Sequence, residues 1–431
     1  LKENFLLIVC LFSICIYGQN QKTINWINKN AIEIEDSNPN SELLIFQNTV
    51  PKNFAAAKVF GFGEATHHGK EFFDIKIKFF KYLVEHNEVK VFIIEDSYTS
   101  EESINEWISG GNGNVQTIAK SFSIVPWKCK EMIELLDWMR LYNVGKSEDE
   151  MIRFYGMDIQ NAKGIDIKII ELIEEYQIPV SVELKSIINL CANKKIKYND
   201  KNDWADTNIP KLEGVKRKII DFQRKNSYLN NNIFNSTVRA LDYLIKYTYY
   251  VQNHYSQDRD LKMFENVKWI VENESKNGKV FVWAHNEHIN NRGFANYSKR
   301  SIYNLGKHLK KHYQEDYYSM GFDFGKGILG GYLFKQNENP KWTTYRLDEP
   351  VADTYAETLS KANYDIYFID IQKAVKDNSI KFFKRKNNQL VLGAAGYDPV
   401  KDNLYKKKFS EMFDGLIYIN EITVPNYNLR E

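Results

Sequence analysis

Two stretches concentrate titratable side chains at spacings that can do chemistry. GEATHHG places Glu64 three residues before His67, with His68 adjacent, and HNEH places His285 three residues before His288. A carboxylate hydrogen-bonded to one imidazole nitrogen fixes the tautomer and makes the other nitrogen a better proton acceptor. That is what a general base for water needs. If each pair opens a helix, the i, i+3 spacing puts its two side chains on one face. Further carboxylates, Glu95 with Asp96 and later Asp158, close other apolar runs. Two His and two Glu are also acceptable zinc ligands, although the order here is E-x-x-H and not the H-E-x-x-H of zinc proteases. A metal-dependent hydrolase using the same Glu/His cluster therefore stands beside metal-free activation of water.

Strands must bring these residues together. KVFGFG (58–63), KVFIIED (90–96), RFYGMD (153–158), KVFVWAH (279–285) and YYSMGFDF (317–324) are apolar without alternation. Most are separated by helix-length amphipathic stretches, the pattern of a mainly parallel sheet covered on both faces. The carboxyl ends of neighbouring parallel strands share one crevice, so residues distant in sequence are expected to converge there. IYFIDI (366–371) and GLIYIN (415–420) add further strands. Strand signals vanish over 164–262, which reads as a helical insertion, and ILGGYLF with WTTYRL predicts a small lobe over 326–364. The expected fold class is α/β: a three-layer α/β/α core with a mainly parallel sheet, a helical insertion and a small α+β lobe. The core would comprise 19–163 and 263–325, with 365–431 completing core and lobe.

Several motifs are decoys. GKGILG (325–330) matches a dinucleotide-binding glycine pattern, but β-prone GYLF follows where a helix is required. No G-x-S-x-G occurs, so no serine nucleophile elbow is expected and direct attack by water is favoured. No cofactor is expected.

A net charge of +2 argues against nucleic acid or an anionic membrane surface as partner. Tyrosine is frequent, 27 residues, which core packing explains and which also fits a cleft that stacks on sugars or macrocycles. Lys2, the apolar run 5–16 and small Gly18 read as an export signal over 1–18, giving a periplasmic or secreted protein after cleavage near Gly18. The run is too short to span a bilayer, so no stable membrane insertion is expected. The residues before Cys15 fit a lipid-attachment motif poorly. Beyond Cys10 and Cys15 only Cys129 and Cys191 remain, so no disulfide framework holds the fold.

The blocks GEATHHGKEFF, FIIEDS, WKCKEMIELLDWMRLYN, FYGMDIQ, RDLKMFENVKWI and VWAHNEHI run in the order of the signature blocks of the erythromycin esterase family, which the chain resembles from about 59 to 327. FDGLIYIN resembles its end more weakly. The resemblance implies hydrolysis of a small-molecule carboxylic ester, a macrolide lactone among the candidates, without metal or covalent intermediate. It implies His67 as general base, Glu64 as its orienting partner, Glu95 as a second essential glutamate, and His285 with His288 as the later histidine pair. Lys76 stands where the best-studied members carry an arginine, which keeps the charge and loses the bidentate fork. His68 stands where the block commonly has glycine. His285, His288 and Lys76 would stabilise the developing oxyanion. Proteins binding haem are thought to share this fold, so a haem- or ligand-binding protein is a further alternative. Asp158 and Gln160 are candidates to line the crevice. Trp127, Trp138 and Met139 read as a packed helix face, and Arg140 and Asn143 either orient site residues or pair at a helix end.

Overall fold

A computed structural model describes residues 20–195, 203–253, 256–295, 301–333, 341–392 and 398–427. The export segment, Gly18 and Cys15 lie outside the described residues. The strands in chain order are β1 (Ile32–Glu33), β2 (Val59–Phe62), β3 (Val91–Ser97), β4 (Arg153–Asp158), β5 (Val280–Trp283), β6 (Phe294–Ala295) and β7 (Ser301–Ile302). They continue as β8 (Tyr317–Leu333), β9 (Lys341–Leu347), β10 (Ile366–Asp370), β11 (Asn387–Leu390), β12 (Leu404–Lys407) and β13 (Gly415–Ile422). The chain divides into two compact units, 1–92 with 129–135 and 275–431, and 93–128 with 136–274.

In the first unit the strands neighbour one another in the order β1-β10-β13-β8-β2-β5, with β9 beside β8. β2 is parallel to β5 and to β8, and β13 is parallel to β8, while β1, β9 and β10 pair antiparallel. The fold is thus mixed α/β with a mostly parallel sheet, as the unbroken apolar runs predict. Alternation along β8 builds the layers. Tyr318, Phe322 and Phe324 pack toward Phe54, Phe62 and Phe72, on the side of helix Lys70–His86. Tyr317 and Ser319 point the other way and donate to the carbonyl of Ile289, at 2.5 and 2.9 Å. Both faces of the strand are therefore covered, which is why it reads as continuously apolar. Helix Lys70–His86 seats Phe79 against Phe62, Phe80 against Phe281 and Phe73 against Trp283, with ring centroids 5.1–5.4 Å apart. This aromatic layer anchors the ends of β2 and β5.

One strand is longer than its pattern suggests. The glycines after Phe324 read as the end of a strand, yet β8 continues to Leu333. It does so because β13 runs beside it as far as the Ile422–Gly327 pair, and β9 then pairs Gly327 through Leu333. Backbone pairing on a neighbour outweighs the weak intrinsic strand preference of glycine.

In the second unit β3 and β4 are neighbours, and helices Ile165–Glu175, Val182–Ala192, Trp204–Lys225 and Asn231–Asn253 enclose a core that includes Leu172, Leu212, Ile219, Leu241 and Leu244. β4 is finished by side chains. The Asn105 amide bonds both the N–H and the carbonyl of Phe154, at 2.9 and 2.7 Å, and Glu101 Oε1 accepts the Gly156 N–H at 2.9 Å. A strand whose backbone groups are satisfied in this way holds its last residue, Asp158, in place.

Candidate active site

β2 delivers the chain to Gly63. A Cβ there would fall 2.1 Å from Asn286 Oδ1, so only glycine lets β2 pass the turn after β5 this closely. The i, i+3 spacing predicts a shared helical face for Glu64 and His67. The structure instead puts both in the loop ahead of helix Lys70–His86. Tertiary hydrogen bonds hold that loop: Asn286 N–H to the Glu64 carbonyl at 2.9 Å, Leu392 N–H to the Ala65 carbonyl at 2.7 Å, and Thr66 Oγ1 to the Gly330 carbonyl at 2.8 Å. Phe62 is level with Trp283 across the parallel pair, so Glu64 and His285, two residues further on each strand, become neighbours.

Glu64 is wholly buried and is the hub. Its Oε1 meets His67 Nδ1 at 2.5 Å, and its Oε2 accepts from the Lys76 ammonium and from Trp283 Nε1 at 3.2 Å. Burial opposes ionisation, but the Lys76 ammonium and then His67 outweigh it and hold the Glu64 carboxyl below its usual range. Lys76 is itself fully buried, its nitrogen 3.9 Å from the centroid of the Trp283 ring and 5.7 Å from that of Phe73. Lys76 is expected among the oxyanion stabilisers; its engagement by Glu64 suits it to keeping that carboxylate charged.

The two imidazoles have different partners at Nδ1. With Nδ1 of His67 turned to a carboxylate, the hydrogen-bond network assigns the proton to Nδ1 and the lone pair to Nε2. His285 caps the short helix Asn286–Ile289, its Nδ1 accepting the Glu287 N–H at 3.2 Å, which assigns its proton to Nε2. The ring centroids of His67 and His285 are 5.0 Å apart, an acceptor beside a donor. His288 lies on the same turn, its N–H on the His285 carbonyl at 2.9 Å and its ring edge-on to Phe294 at 6.0 Å.

Glu95 belongs to the second unit, where it is held by a residue not singled out from the sequence. Arg259 donates to Glu95 Oε1 at 2.7 Å and makes a two-point contact with Asp158, at 2.9 and 2.8 Å. Trp127, fully buried, donates Nε1 to the Glu95 carbonyl at 3.0 Å. The RDLKMFENVKWI block contains Arg259, but nothing near it in sequence discloses its partners. Asp96 is bound by Ser100 and Ser123 and is pushed up to about 6 by burial against those hydrogen bonds. Gln160 is exposed. Arg140 and Asn143 bond the carbonyls of Trp107, Ile108, Gly110 and Gly111, so both cap the end of helix Glu101–Ile108. Among the described residues no group of three or more His, Cys, Asp or Glu side chains is spaced to hold a metal ion, and no helix is long and apolar enough to cross a membrane.

Comparison with known proteins agrees with the mixed α/β fold. The sequence model described as erythromycin esterase matches residues 84–422. The chain is similar to a protein from Escherichia coli named erythromycin esterase type II, 22% identical over 93% of this chain and 97% of that one. A crystal structure of a protein from Bacillus cereus superimposes with a TM-score of 0.76 at 22% identity, over 95% of this chain and 99% of that one. A mutant of the erythromycin esterase EreC in its open conformation does so with a TM-score of 0.66 at 14% identity, covering 93% and 99%.

Proposed function

The chain belongs to the erythromycin esterase family, and from that premise we propose that it is a hydrolase that cleaves a carboxylic ester by general-base activation of water. The observation that carries this reading is the contact of Glu64 with His67 Nδ1, with the Lys76 ammonium behind the carboxylate. His67 Nε2 takes a proton from water as the hydroxide adds to the ester carbonyl carbon. The His285 Nε2–H donates to the oxyanion that forms, with His288 on the same turn. The tetrahedral adduct collapses, the C–O bond to the alcohol breaks, and the His67 imidazolium returns its proton to the leaving oxygen. Acid and alcohol are the products, and no covalent enzyme intermediate forms. A positioned base of this kind contributes about 10²–10⁴-fold, so the donors to the oxyanion must supply a comparable share. Glu95 enters the proposal as the second glutamate on the family resemblance, fixed by Arg259.

Macrolide lactones are the substrates proposed, supported by the activity in the names of the related proteins. The test is incubation of the purified protein with fourteen- and sixteen-membered macrolides and simple aryl esters, read as a mass gain of one water. His67→Ala is expected to abolish that gain while the protein stays folded. Hydrolysis by the folded variant would remove His67 from the mechanism. Activity is expected to survive dialysis against a strong chelator; loss restored by Zn²⁺ or Mn²⁺ would favour a metallohydrolase. The proposal retains export of the chain, to be checked by sequencing the N-terminus of the mature protein.

A further inference from the structure

The chain continues past β13 as a short strap, Thr423 to Tyr427, outside the residues that the family model matches. It is tied twice, by the same device. Lys70 N–H donates to the Thr423 carbonyl at 2.7 Å, and Glu71 accepts the Thr423 N–H at 2.6 Å and its hydroxyl at 2.7 Å. Three residues on, Lys130 N–H donates to the Asn426 carbonyl at 2.8 Å, and Glu131 accepts the Asn426 N–H at 3.2 and 3.1 Å. In each case a Lys-Glu pair opens a helix, Lys70–His86 or Lys130–Asn143, and the strap supplies the acceptor that a first-turn N–H lacks within its own helix. The helix returns a carboxylate to the strap N–H.

These ties set Tyr427 against His68, with ring centroids 5.0 Å apart and planes inclined by 36°. His68 has Gly330 on another side, where a Cβ would fall 2.6 Å from its ring. The Tyr427 hydroxyl is buried and has no hydrogen-bond partner among the described residues. Burial, with Cys129 and Glu64 nearby, pushes the phenol far above its usual range, so it stays protonated. Burial and the adjacent His67 push His68 down to about 4, so its imidazole is neutral at working pH.

We infer that Tyr427, held by the strap on Glu71 and Glu131, packs over His68 beside His67 and limits the size of the ester that can reach His67. The barrier is built from His68, where the family block commonly has glycine, and from a tyrosine supplied by the far end of the chain. This rests on the hydrolytic reading for its substrate class, while the packing it invokes does not.

The test compares the full chain with its Tyr427→Ala and Glu71→Gln variants on two readouts. The first is kcat/KM on aryl acetates against aryl esters of branched or cyclic acids. Tyr427→Ala is expected to raise the bulky-to-acetate ratio about tenfold or more, the scale on which an apolar pocket discriminates by size. The second is carbethoxylation of His68 by diethyl pyrocarbonate, mapped by mass spectrometry, since that reagent attacks neutral imidazole. Labelling of His68 is expected to rise in Tyr427→Ala, and also in Glu71→Gln, where the tyrosine is intact and only its tether is loosened. An unchanged size ratio together with unchanged His68 labelling in Tyr427→Ala would overturn the inference. A wild-type protein inert toward every ester would sink the hydrolytic proposal and leave the strap to be judged by labelling alone.

Discussion

Glu287 turns both carboxylate oxygens to the ammonium of Lys407, at 2.7 and 2.6 Å, from a position between His285 and His288. The backbone N–H of the same glutamate donates to His285 Nδ1, so the ion pair and the histidine cap share one residue. Burial works against the Glu287 charge, but Lys407 outweighs it and holds the carboxyl below its usual value near 4.5. Lys407→Met should therefore cost about 1.5–3 kcal/mol at neutral pH, the scale of charge-assisted bonds. The sign with pH follows from the lowered value. The stabilisation is complete above the unfolded carboxyl pKa and is lost as pH falls through the folded one. Denaturant midpoints should show the wild-type advantage shrinking in acid.

Lys76 and Glu64 are both wholly buried, so removing one partner strands the other. Lys76→Met should destabilise by about 3–5 kcal/mol, and Glu64→Gln in the same chain should recover much of that. Calorimetry of the two single variants and the double variant measures the coupling. Lys76→Arg restores the charge but must fit a larger group against Trp283, at a cost of about 1–3 kcal/mol from overpacking.

Arg259 compensates two carboxylates whose side chains are almost fully enclosed. Arg259→Ala should cost about 3–5 kcal/mol. Arg259→Lys should lie between it and the wild type, because an ammonium cannot reproduce the two-point contact with Asp158. Urea titrations of the three proteins rank them, and equal stability of the Ala and Lys variants would count against the fork.

Asp323 is wholly buried on β8, and burial pushes its carboxyl up to about 7 despite hydrogen bonds from Gln389 and the Phe324 N–H. The folded state keeps this proton up to about pH 7, whereas the unfolded chain releases it near 3.8. Stability from this site is therefore greatest in acid and falls as pH rises between those values, by up to about 4 kcal/mol at 1.36 kcal/mol per pH unit. Asp323→Asn lacks that slope. Its stability relative to wild type should climb between pH 4 and pH 7 and then level off.

The strands were legible because burial on both faces leaves an unbroken apolar run, and β2, β3, β4 and β5 fall where such runs occur. Glu64, His67 and His285 were legible because they end two of those runs. The contacts that tune them were not. Arg259 lies 164 residues from Glu95 and 101 from Asp158, and Lys407 lies 120 from Glu287. No local pattern marks a charge as the partner of another so distant. The helical face expected for Glu64 and His67 failed for a related reason: tertiary hydrogen bonds to Gly330, Leu392 and Asn286 hold that segment as a loop.

The sequence alone determined which residue types the strands carry to their ends, since side-chain chemistry and apolar runs are properties of local stretches. Only the tertiary structure decided which ammonium faces which carboxylate, which imidazole nitrogen keeps the proton, and which tyrosine stands beside His68. Those outcomes depend on Coulomb and hydrogen-bond contacts of a few ångströms between segments that only folding brings together.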